Sequence, residues 1–287
     1  DQTTSKPQTC TRTRPQRDVG INAKRSDHRV HIEYKISRDP EERDPTEERV
    51  SQACGRMAEY VIKYHTNFTF CGRIEFIRIM FEDAGVKYTE QSEDMYQLVD
   101  CFTEGKGAAP FPVMFPPLLI HGDVCINNTP AIMRYLGKQL GYYPKTDKDE
   151  AIADQILLNA HDFIAEGRRQ FHPTEDSASY HSQKEAADLQ AAKWAASGRL
   201  LTWLRHFNKV IERGSGPGVA GACVTYADFA LFHVLRATQS QFPEAWESNK
   251  GEYQACVTYL EAFAGRKGIS EYLGSDRRRP FEGNSMM

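Results

Sequence analysis

One stretch, Phe115 to Leu136, constrains this chain more than any other: FPPLLIHGDVCINNTPAIMRYL. It reads strand, tight turn, strand, helix. Pro116-Pro117 precedes the apolar run Leu118-Leu119-Ile120. His121-Gly122-Asp123 is a turn, because Gly tolerates positive φ and Asp bonds its own backbone. Val124-Cys125-Ile126 returns as a second short strand, and Asn127-Asn128-Thr129 stops it. Thr129 is expected to cap the next helix with its hydroxyl, with Pro130 in the first helical position, where the missing N–H has no partner anyway. Ile132, Tyr135, Leu136 and Leu140 follow at helical spacing. A Pro at the head of a buried strand removes a ladder donor. A cis bond, with the first strand residue facing a ligand, accommodates it.

The 287 residues leave room for two domains. With 40% hydrophobic and 26% charged residues, the composition is that of an ordinary soluble globular protein. No apolar run approaches the roughly 18–20 residues of a membrane helix. A net charge of −3 gives no general electrostatic case for nucleic acid. Seven cysteines without a CxxC pair imply reduced thiols and speak against structural zinc, so no metal is expected. There is no signal-peptide core; the expected compartment is the cytoplasm, and an organelle remains open because a cleaved targeting peptide would leave no trace.

Residues 1–57 differ in kind from the rest. They hold no Leu, Phe or Trp, carry Pro7, Pro15, Pro40 and Pro45, and nearly balance Lys/Arg against Asp/Glu. Such a segment buries too little apolar surface to offset chain entropy. It reads as an extension of low order or as an arm that docks on a partner assembly, with one possible edge strand, His28–Ile36. Glu59–Tyr64 then reads as a strand, 65–71 as a loop, 72–84 as a helix ended by Gly85, and Val86–Thr89 as a second strand. Residues 92–108 are irregular and partly helical. With the opening stretch this makes β-α-β-α-β-β-α over 58–141. A linker, 142–149, leads to an all-helical region, 150–274, with long helices at 150–171 and 182–213, a possible break near Gly198, and shorter ones at 252–264 and 268–273. Gly-rich 214–221 lacks the Lys-Ser/Thr of a phosphate loop. Thr225 and Asp228 have the spacing of a capping box, with Val224 and Phe229 stapling the helix start. Residues 275–287 read as a polar tail whose Arg277-Arg278-Arg279 run is a solvated face.

Pro117-Leu118-Leu119, Asn128-Thr129 and Ala131-Ile132-Met133-Arg134-Tyr135-Leu136 resemble the glutathione site of the cytosolic glutathione S-transferases. VTYADF at 224–229 resembles that family's structural motif at the start of its sixth helix, and GRIEFIRIMFEDAGVKY its first helix and second strand. The resemblance covers about 59–280 and is sigma/mu-like or unclassified. It implies an α/β thioredoxin-like N-terminal domain followed by an all-α C-terminal domain. It also implies glutathione as co-substrate with no further cofactor, a small electrophile as second substrate, and a homodimer.

The family's task is to lower the pKa of glutathione's thiol, since the thiolate is the nucleophile. A hydrogen-bond donor aimed at the sulfur beside a helix N-terminus does this. Tyr64, at the end of the first strand, matches a Tyr-type transferase by position, although the loop after it is about three residues longer than in the aligned pattern. Cys71, before the helix, resembles the thiol-transferase and dehydroascorbate-reductase arrangement, but Gly72 stands where that pattern has Pro. Thr66 or Thr69 could serve as a hydroxyl donor. The resemblance assigns the γ-glutamyl carboxylate to Thr129 and Asn128 at the positive end of the following helix. It assigns the cysteinyl part to the backbone around Phe115, Pro116, Pro117 and Leu118, although Pro116 lacks an N–H. Lys106 would meet the glycyl carboxylate and Asp162 the γ-glutamyl amine, while Phe68, His161 and Ala165 would wall the second substrate. Three functions therefore stand side by side: a glutathione transferase, a Cys71-dependent thiol transferase, and a non-catalytic subunit of a larger assembly.

Overall fold

The computed structural model describes residues 59–65, 70–93, 95–176, 178–214 and 216–282. The expectations for 1–57, and for Thr66, Phe68 and Thr69, lie outside these. Strand β1 (Tyr60–His65) is followed by helix α1 (Glu75–Ala84), β2 (Tyr88–Glu93) and two single-turn helices, α2 (Met95–Leu98) and α3 (Asp100–Thr103). Strands β3 (Leu118–His121) and β4 (Val124–Asn127) and helix α4 (Thr129–Leu140) complete this half. The strand order is β2-β1-β3-β4, with β1 parallel to β2 and antiparallel to β3, and β3 antiparallel to β4. The Pro116–Pro117 bond is cis.

Two boundaries move from the sequence expectation for physical reasons. Helix α1 starts at Glu75 rather than at residue 72, because Gly72 sits at φ +64° and turns the chain first. Strand β2 begins two residues late and runs on through polar TEQSE. It is an edge strand, paired on one side only, and an edge needs no apolar alternation.

The rest of the described chain is helical. Helix α5 (Asp147–Phe171) begins three residues earlier than expected, because Thr146 accepts the Asp149 N–H at 3.1 Å and caps it there. Helices α6 (Lys184–Ala196) and α7 (Arg199–Arg213) are separated at Gly198, φ +79°, where the break was anticipated. Helices α8 (Tyr226–Gln241), α9 (Pro243–Asn249), α10 (Gln254–Ala264) and α11 (Lys267–Leu273) follow. No helix of the described residues is long and apolar enough to cross a membrane.

Helix α8 is the central post, buried almost throughout. Its start is built as the Thr225/Asp228 spacing implied. The Asp228 carboxylate accepts the Thr225 N–H at 2.7 Å and the Val219 N–H at 2.9 Å, plus the hydroxyls of Thr225 and Tyr259. One apolar core joins the sheet half to the helical half. At its centre Phe76 of α1 packs against His161 of α5 (4.7 Å between ring centres) and His233 of α8 (4.2 Å).

The C-terminal segment corrects the expectation of a solvated tail. Arg277 pairs with Glu82 and Arg279 with Glu90, and Gln241 donates to the Glu282 carbonyl at 2.6 Å. Its carbonyls also close over Cys71. The Cys71 N–H donates to the Pro280 oxygen at 2.8 Å and the thiol donates to the Arg279 oxygen at 3.0 Å. Composition reads the arginines as solvated; Arg277 stays 60% exposed while it meets Glu82, and Arg279 is drawn in by Glu90 of β2, nearly two hundred residues away.

Asp228→Ala leaves two backbone donors without a partner, so a loss of about 2–4 kcal/mol is expected, measured as a lowered denaturant midpoint. A midpoint unchanged within error contradicts this role. The histidines predict an acid dependence. Burial holds both His161 and His233 down at about 3, with Arg73 lowering His161 further, and His161, Arg236, Arg278 and Arg78 lowering His233. Below pH of about 6.5 the unfolded chain takes up protons that these two refuse when folded, so stability falls as pH drops from there toward 3. The slope is roughly 1.4 kcal/mol per pH unit for each fully withheld proton. Denaturation across this range should show a shallower acid dependence in His233→Phe than in the wild type; identical slopes contradict it.

Candidate active site

The carboxyl-end side of the sheet, α4 and α5 enclose a cavity of about 630 Å³. Tyr64 of β1 reaches it, joined by Phe115 and Pro116 from the approach to β3 and by Asn128 and Thr129 at the start of α4. Across the cavity, α5 contributes Ala165 and Arg168. Six of the residues named from the sequence thus share one space.

Local chemistry explains how they meet. Alternation along β1 turns Ile62 and Tyr64 to the core side, and Tyr64 is 6% exposed. The backbone of Arg73, at the turn that opens α1, acts on this phenol. Burial pushes the phenol up, against the lowering effect of the Arg73 backbone and charge, so it is protonated at neutral pH. Asn127 holds the approach to β3 in place by donating its side-chain amide to the Phe115 carbonyl at 3.0 Å.

The start of α4 differs from expectation. Thr129 is the first helical residue rather than the cap, and Pro130 the second. Asn128 is the cap by position, at φ +71°, and its carbonyl accepts the Ile132 N–H at 3.0 Å. Asn tolerates the left-handed region better than most residues, which suits it to this corner. Neither residue's side chain caps the helix, so its positive end faces the cavity without a side-chain acceptor of its own.

Other expected residues lie elsewhere. Pro117 and Leu118 are buried outside the cavity lining; Leu118 packs with Met95, Val99, Val113 and Cys125. Lys106 and Asp162 are exposed and line no part of the cavity. His161 is on the expected helix but one turn too deep: it is buried under Phe76, and neither ring nitrogen has a hydrogen-bond partner among the described residues. Cys71 is sealed beneath the C-terminal segment. Burial and the nearby Glu75 push its thiol far up, the opposite of an activated thiolate. The helix start alone suggested acidification; the missing information was what packs on top.

Sequence reading also missed lining residues. Arg73 and Phe70 come from the turn before α1, Phe102 from α3, Arg169 from α5 and His172 from the residue that ends it. A signal existed for Arg169: Ala165, Arg168 and Arg169 stand at i, i+3 and i+4, one helix face.

Comparison with known proteins agrees with this geometry. Residues 171–276 match the sequence profile of the glutathione S-transferase C-terminal domain. Glutathione S-transferase P 1 of Xenopus laevis is 26% identical over 227 residues, 77% of this chain and 95% of its own length. Glutathione S-transferase 1 of Ascaris suum is 29% identical over 191 residues, 66% of this chain and 84% of its own. The solved glutathione S-transferase of Ascaris lumbricoides superposes with a TM-score of 0.56 at 24% identity, covering 78% of this chain and 99% of that one, which speaks for the fold. The family profile, relatives spanning both halves, and the shared architecture agree, and together they support a cytosolic glutathione S-transferase family for this chain.

Proposed function

We propose that this chain is a glutathione transferase that joins the glutathione thiolate to small, partly apolar electrophiles. The observation that carries the reading is that Tyr64, Asn128 and Thr129 line one cavity. The γ-glutamyl carboxylate sits at the positive end of α4 beside Thr129, and the backbone near Pro116 meets the cysteinyl part. The sulfur then lies near Tyr64.

Free thiols titrate near about 8.5 and are mostly protonated at neutral pH. A protonated phenol that donates to sulfur stabilises the thiolate. The thiol proton leaves to water. The thiolate forms the sulfur–carbon bond, and the electrophile's leaving group departs with the electron pair of its own bond. Homodimerisation and a cytoplasmic setting belong to the same proposal, on family likeness alone.

The test is steady-state conjugation of a chloronitrobenzene. Tyr64→Phe should lower kcat/KM by about 10²–10³, the effect of removing one donor to a developing anion. An unchanged kcat/KM overturns the role of Tyr64. The Cys71-dependent alternative is tested alongside. Cys71→Ser should leave conjugation within about twofold of wild type, since a buried thiol with a raised pKa supplies no thiolate. Alkylation mapped by mass spectrometry should mark the exposed Cys101 before the buried Cys71, and deletion of residues 277–287 should open Cys71 to the reagent. Prompt labelling of Cys71 in the full chain would contradict the seal.

A further inference from the structure

The cavity has two unlike ends. One is the polar end at Asn128 and Thr129. The other, on the last two turns of α5 and the turn before α1, gathers three guanidinium groups: Arg73, Arg168 and Arg169. A single carboxylate, Asp176, lines the same space. Among the described residues neither Arg73 nor Arg169 forms an ion pair. Arg73 is half-buried, and the nearby Arg168 disfavours its charge. Arg168 holds Asp176 with one end of its fork, while the other donates to the Asp176 carbonyl at 2.7 Å. The Asp176 side chain is 79% exposed, so this is a surface pair of the kind held weakly and readily exchanged. Aromatic surface lines the same cavity: Phe70, Phe102 and Phe115.

We infer that the preferred electrophile carries a carboxylate, which docks on Arg168 and Arg169 in place of Asp176 while its apolar body lies along the aromatic wall. Three cations facing one exchangeable anion leave an excess of positive charge in a low-dielectric cleft, where a second anion is favoured. A carboxylate matches the two parallel donors of a guanidinium. Glutathione's γ-glutamyl carboxylate is assigned to the opposite end, beside Thr129, so the arginine end faces the co-substrate. The chemistry rests on the transferase reading; the binding preference does not.

The experiment compares matched ligands on the full chain. Conjugation is followed with a chloronitrobenzoate and the corresponding chloronitrobenzamide. Binding is measured by calorimetry with the unreactive nitrobenzoate and nitrobenzamide. The acid should be favoured by about tenfold in both assays, the scale of a charge-assisted contact, and the preference should shrink with added salt. Arg168→Gln with Arg169→Gln should remove the preference while leaving KM for glutathione within about twofold, and Arg168→Lys should restore part of it. Asp176→Asn, which removes the competing carboxylate, should enlarge it. Equal binding of acid and amide overturns the inference. So does an Arg168→Gln, Arg169→Gln variant that loses glutathione affinity and keeps the acid preference, for then the arginines serve glutathione. Acid preference in binding without conjugation of either compound supports this inference and removes the transferase reading instead.

Discussion

Arg78 is the constraint on which the site geometry depends. Its side chain is essentially sealed, and a buried guanidinium is tolerated only when its donors are met. Nε and one terminal nitrogen donate to Glu90 of β2 at 2.8 and 2.6 Å. The other terminal nitrogen donates to Glu75 at 3.1 Å and to the Cys71 carbonyl at 3.0 Å. Tyr272 of α11 closes the group with a hydrogen bond to Glu75 at 2.9 Å. One cation therefore ties together a helix, the edge strand, the last helix and the turn at Cys71. Two residues on from that carbonyl is Arg73, which lines the cavity with Tyr64. The position of the phenol and the packing of the C-terminal segment are parts of the same arrangement.

This explains how a longer loop after β1 coexists with a tyrosine in the cavity. The turn is anchored from behind, by Arg78 and by the carbonyls of Arg279 and Pro280, rather than by a short connection. The anchoring removes Cys71 from chemistry and frees the mouth of the cavity for Phe70 and Arg73. Arg73 and Arg168, half-buried, and the exposed Arg169 line the same cavity.

Much of the fold was legible in the sequence because it rests on local signals. The strand-turn-strand-helix of 115–136, the glycine stops at 85 and 198, and the Thr225/Asp228 pair are set by turn chemistry, capping and periodicity within a few residues. The polar end of the cavity was legible for the same reason, since Asn128 and Thr129 sit beside a helix start. What escaped depends on distant partners. Arg277 and Arg279 look solvated until their carboxylates on α1 and β2 are known. His161 and Ala165 lie four residues apart on one helix face, yet only Ala165 reaches the cavity, because α1 and α8 close over the turn that holds His161. Helical spacing names the face; depth is decided by what packs there.

The central claim is that this cavity turns a thiol into a thiolate. The most direct measurement is a pH titration of the glutathione thiol bound to the full chain, followed by its ultraviolet thiolate absorbance. The account predicts a bound thiol that ionises below about 7.5, in the range of thiols activated by hydrogen bonds and a helix N-terminus. A bound thiol that titrates with the same pKa as glutathione in solution would contradict it.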